Sequence, residues 1–161
     1  MKSFLKYWLP LLIWVSAIFL GSTDLMSAEH TSRFIVPILL WLKPGVSPAT
    51  IRSILFATRK CAHVAEYAIL ALLLWRALRS LPALGMRMSM CFGAALLGCS
   101  VFAAADEFHQ SFVKSRTPSA HDVLLDIAGA LLGLLIGVSL ARRHFKKRRG
   151  AAHRQFVDAQ L

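Results

Sequence analysis

Apolar residues along this chain gather in four long blocks separated by shorter polar stretches. They show neither the strict alternation of a half-buried strand nor the single stripe of a surface helix. The blocks are FLKYWLPLLIWVSAIFLG (4–21), CAHVAEYAILALLLWRAL (61–78), MSMCFGAALLGCSVFAAA (88–105) and VLLDIAGALLGLLIGVSLA (123–141). Each holds about 18 residues, enough for a helix to cross ~30 Å of hydrocarbon. The pattern predicts an all-α, polytopic membrane protein with four transmembrane helices. Residues 1–141 are expected to form the membrane domain and 142–161 a basic tail. Pro10 falls near the start of the first span, where neighbouring helices can satisfy the freed carbonyl.

Two weaker patterns lie between the first and second blocks. FIVPILLWL (34–42) is apolar but too short to cross, so it is expected to lie at the interface or to dip in and return. SPATIRSILFATRK (47–60) opens with Ser47 and Pro48, a helix-start pair, and carries Ile51, Ile54 and Leu55. It is expected to be an amphipathic surface helix leading into the second span.

Charge gives these spans a direction. Nineteen Lys and Arg stand against eight Asp and Glu, a net charge of +11. Basic residues favour the cytoplasmic side. With both termini there, that side carries Lys2, Lys6, Arg76, Arg79, Arg87 and the tail, and Asp158 is its one acid. The other side holds Arg33, Lys43, Arg52, Arg59, Lys60, Lys114 and Arg116, balanced by the other seven acids. The entire net charge therefore falls on one face. ARRHFKKRRG (141–150) reads as an anchor against anionic headgroups, and no nucleic acid is expected as a partner. Met26-Ser27-Ala28 loosely resembles a signal-peptide cleavage site, but removing the first span would force a basic segment outward, so the span is expected to be retained. These features predict a multi-pass protein of a cytoplasmic membrane with both termini inside.

Composition adds little: 57% of residues are hydrophobic and mean hydropathy is +0.57. Cys61, Cys91 and Cys99 lie in or beside apolar blocks, and their odd number and spacing fit small hydrophobes better than a disulfide framework or zinc knuckle.

The informative departure is DEFHQSFVKSRTPSAHDVLLD (106–126), an outer loop with the ends of the helices flanking it. Lys114, Ser115, Thr117 and Pro118 are ordinary turn residues. Asp122 and Asp126 share one face of the fourth span with Gly129, Gly133 and Gly137, within an arc of roughly 80°. A small-residue ladder is where another helix approaches closely, so Asp126 is expected to face protein. An ionisable group there is expensive unless paired, which makes it a candidate for function. Asp122 fits the simpler role of an acid in the first helical turn.

On the second span Arg59, His63 and Glu66 share a face at the same end of the molecule. His63 could carry a proton, with Glu66 setting its tautomer, or these residues could form a structural pair with Asp126 or Arg59. The third span ends in Asp106, Glu107, His109 and Gln110.

Three chemistries fit this convergence. Acid–base work would use His63 or His109 as base, with Glu66, Asp106 and Asp126 as partners. Recognition of a headgroup would use Arg59, Lys60, Gln110, Arg116 and Asp122, the cations gripping phosphate or carboxylate. A metal held by His63, Glu66, His109 and an aspartate is the weakest, because no HExxH string is present. GxSxG, P-loop and GxGxxG strings are also missing, so no metal and no cofactor is expected.

RKCAHVAEYAILALLLWRAL (59–78) together with DEFHQSFVKSRTPSAHDVLLDIAGALLG (106–133) resembles the VanZ-like family of small membrane proteins. The matching positions are Lys60, His63, Glu66 and Tyr67, then Asp106, Glu107, Gln110, Arg116, Asp122, Asp126, Gly129 and Gly133. Relatives often carry Asn at the position of Asp126. The resemblance implies a role at the bacterial envelope connected with resistance to the glycopeptide teicoplanin, and a lipid-linked or glycopeptide-like ligand. It transfers no catalytic residue. A non-catalytic amphiphile- or ion-binding or transport module stays open, and so does a membrane assembly partner, since the glycine ladder could also drive oligomerisation.

Overall fold

Helix breakers set the boundaries of the elements. The computed structural model of the protein describes residues 2–23, 28–81, 85–113 and 119–158. Five helices follow in order: α1 (Lys2–Gly21), α2 (Ala28–Leu42), α3 (Pro48–Arg79), α4 (Met88–Gln110) and α5 (Ala120–Asp158). All but α2 are long and apolar enough to cross a membrane. The predicted class is therefore the observed one: a multi-pass, all-helical membrane protein.

Three details refine these expectations. The surface helix and the second span are one helix, because no Gly or Pro interrupts the chain between Pro48 and Pro82. Its 32 residues reach about 48 Å, longer than the hydrocarbon core is thick. Ser47 caps it, its side chain accepting from the Thr50 N–H at 3.2 Å. The basic tail likewise continues α5 to Asp158 without a break. The segment 34–42 belongs to the continuous helix α2, with Pro37 inside it, and is no hairpin that dips and returns. Phe34, Ile38, Trp41 and Leu42 form an exposed stripe along it.

α3 is the centre of the bundle and touches each of the other four helices. α1 and α4 run one way, α3 and α5 the other. Burial is reversed relative to a water-soluble core: Leu97 is 67% exposed, whereas Asp126 is 1% exposed. Small residues fill the interior of α4, where Cys91, Ala95, Cys99 and Ala103 recur every fourth position and are all buried. Cys91 and Cys99 are free thiols, packed like the alanines beside them.

The glycine ladder is used within the chain. A Cβ on Gly129 would stand 2.9 Å from Val64 Cα, and one on Gly133 would stand 2.7 Å from Ala68 Cα. Both are backbone atoms of α3, so a side chain at either position would push the helices apart. At Gly137 the neighbours are the side chains of Leu72 and Trp75. Hence α3 occupies the ladder that could have served a second copy of the chain.

Candidate functional site

Close approach along the ladder brings the middle of α3 and the first turns of α5 into polar contact. One turn beyond Gly129, Asp126 Oδ1 lies 3.0 Å from His63 Nδ1, their side chains 2% and 12% exposed. One turn further out, Lys60 forms an ion pair with Asp122. Asp122 also sits in the first turn of α5, where the helix dipole favours an acid. The order Lys60, His63, Val64 and Ala68 on α3 is thus matched by Asp122, Asp126, Gly129 and Gly133 on α5.

A second polar group joins α1 to α4. Ser22, just past the end of α1, donates to Asp106 Oδ2 at 2.8 Å. Gln110 Nε2 donates to the same oxygen at 2.9 Å and to Ser22 Oγ at 3.3 Å. All three residues are buried. The Trp14 indole N–H, donating to the Glu66 carbonyl at 3.0 Å, ties the middle of α1 to α3. Glu107 accepts from the Ser119 N–H and so braces the start of α5 against the end of α4.

Tyr67 links the two groups. Its side chain is fully buried, within electrostatic reach of both Asp106 and Asp126. Its hydroxyl has no hydrogen-bond partner among the described residues, and neither do Asp106 Oδ1 and His109 Nδ1. Buried polar atoms are normally satisfied, so each of these orphans is a candidate contact for a ligand or an ordered water.

The structure therefore brings together His63, Asp126, Lys60 and Asp122, and separately Asp106 and Gln110. Glu66 lies within electrostatic reach of His63. Gln110, expected among the substrate contacts, is buried and hydrogen-bonds to Asp106 and Ser22. His109 stacks on Phe19 at 4.7 Å and bonds to none of the carboxylates. Arg59 is half-buried on α3. Arg116 and Lys114 lie outside the described residues, as do Met26 and Ser27. Among the described residues no group of three or more His, Cys, Asp or Glu side chains is placed to hold a metal.

Sequence reading missed Ser22. It is 84 residues from Asp106, and a lone serine after a span carries no local signal. Tyr67 was visible only as part of the family motif, because an aromatic in an apolar run looks like packing.

The dyad alone leaves the acid–base and binding readings both standing: a carboxylate can lock His63 in one tautomer with Nε2 as acceptor, or complete a polar pocket. No curated protein and no solved structure matches the chain. The VanZ/LLP1 family profile matches residues 7–141, which take in all but the first three residues of the four apolar blocks and every candidate site residue. The chain belongs to the VanZ/LLP1 family.

Proposed function

We propose that the protein works at the outer face of a bacterial cytoplasmic membrane on an amphiphilic, lipid-linked envelope substrate, and that His63 serves there as a general base oriented by Asp126. The observation that carries this reading is the buried His63–Asp126 contact between α3 and α5. With Nδ1–H donating to Asp126, Nε2 is free to accept a proton, and the carboxylate stabilises the imidazolium that forms. Lys60 and Asp122 lie one turn nearer the surface, where a headgroup would enter, and Arg59 adds a cation on the same helix.

Sidedness rests on the charge distribution: the site lies at the end opposite the unbalanced basic residues. α2 supports the same placement, because an exposed apolar stripe suits a helix lying in an interface. By this reading the teicoplanin connection arises because lipid-linked envelope precursors and glycopeptides meet on the outer leaflet.

The test compares His63→Gln, Asp126→Ala and Asp126→Asn at matched expression, scoring teicoplanin susceptibility alongside mass spectrometry of co-purified lipids. A base role predicts that His63→Gln and Asp126→Ala abolish the phenotype while the bound lipid is retained. Asp126→Asn keeps part of the activity, because a carboxamide oxygen still accepts from Nδ1–H. Wild-type behaviour of the first two would sink the proposal. A reporter fused at residue 112 checks the orientation, which fails if that position is cytoplasmic.

A second reading, a binding or transport module without chemistry, is favoured by the orphaned Tyr67 hydroxyl and Asp106 Oδ1. It predicts that ligand and phenotype are lost together.

A further inference from the structure

At the opposite end of the bundle, α1 and α3 enclose a cavity of about 400 Å³ lined by Tyr7, Leu72, Trp75, Arg76, Arg79 and Ser80. That volume is within the range of small-ligand sites. Arg76 stacks on the Tyr7 ring at 5.0 Å and Arg79 on Trp75 at 5.0 Å, while Lys6 approaches the other edge of this group at 5.5 Å from the Tyr7 centroid. A stacked guanidinium keeps its edge N–H groups free, the geometry that grips a phosphate with two parallel hydrogen bonds.

Among the described residues no acidic side chain pairs with these cations. The described acidic side chains are Glu66, Asp106, Glu107, Asp122 and Asp126. The nearest along α3, Glu66, is about 15 Å up the helix from Arg76. The C-terminus of α3 adds partial negative charge, so the guanidinium groups themselves must hold any anion. Trp75 is 6% exposed and its indole N–H has no partner among the described residues. The Cζ3 edge of its ring packs at Gly137 of α5, which turns the N–H edge, across the ring, away from α5.

We propose that this cavity is a binding site for the phosphate headgroup of an anionic phospholipid, gripped by Arg76 and Arg79 with Tyr7 and Trp75 as shelves. A lipid is favoured over a free phosphate because the site opens at the end of membrane-spanning helices and Leu72 extends its wall toward the apolar belt. The site is independent of the polar cluster at the other end.

Native mass spectrometry of the full chain in detergent, titrated with phosphatidylglycerol or phosphatidylcholine, tests this. Wild type is expected to retain phosphatidylglycerol preferentially. Arg76→Gln/Arg79→Gln should weaken that binding at least about tenfold, the loss expected when two charge-assisted hydrogen-bonding groups are removed. Arg143→Gln/Lys146→Gln removes the same charge outside the cavity and should leave binding within about twofold, since it breaks no direct contact. Circular dichroism and monodispersity report whether each variant is folded. Equal weakening by both pairs would overturn the site in favour of general surface charge. Equal retention of the two lipids overturns it outright. Displacement by glycerol phosphate at the lipid's own concentration overturns the lipid assignment.

Discussion

The two ends of this bundle treat charge in opposite ways. At one end Asp106, Asp122 and Asp126 are buried and engaged by groups on other segments: Ser22, Lys60 and His63. At the other end Arg76 and Arg79 meet only aromatic rings and a cavity, and Arg87 and Arg142 rim a second cavity of about 570 Å³ between α4 and α5. Charges satisfied within the protein build an interior site of fixed geometry. Charges without an acidic partner among the described residues are, on the proposal above, addressed to the lipid headgroups. The same helices thus carry a preorganised end and an end whose partners come from the membrane.

The contrast is broken most severely at the ladder. Gly133→Leu drives a side chain into the α3 backbone and is expected to cost about 3 kcal/mol, the upper range for overpacking. Gly93→Leu, at a position with open space around it, should cost little. Denaturant titration of the two in one detergent measures the difference.

Next comes the dyad. Asp126→Ala leaves His63 without its buried partner and should destabilise the bundle by about 3 kcal/mol, as broken buried pairs do. Asp126→Asn should recover most of this. Ser22→Ala removes one of the hydrogen bonds on Asp106 and is expected to cost about 1 kcal/mol, read by the same titration. Smallest is Arg76→Gln/Arg79→Gln. Its stability in lipid-free detergent should stay within about 0.5 kcal/mol of wild type, because exposed cations that meet aromatic rings but no acid contribute little. A large loss there would mean that the basic end is also held together from within.

The four spans were legible because crossing a bilayer demands long apolar helices and leaves few alternatives. The facing of Asp126 was legible for a related reason: three glycines at helical spacing predict where a neighbouring helix comes closest. The helix expected to lead into the second span runs on into it as α3, because no breaker residue stands between Pro48 and Pro82. What local pattern could not supply is pairing across distance. Ser22 with Asp106, Trp14 with Glu66 and Tyr7 with Arg76 each join α1 to a later helix, and nothing near either residue names the other.

The central claim is that α5 approaches α3 closely enough for Asp126 to hold His63 inside the bilayer. Nitrogen-15 NMR of histidine-labelled protein in lipid bilayers, wild type against Asp126→Ala, tests it directly. The account predicts one histidine signal locked with a hydrogen-bonded Nδ1 proton, identified as His63 by its disappearance in His63→Gln, which loses that proton signature in Asp126→Ala. An unchanged His63 signal in Asp126→Ala would show that the two side chains do not meet.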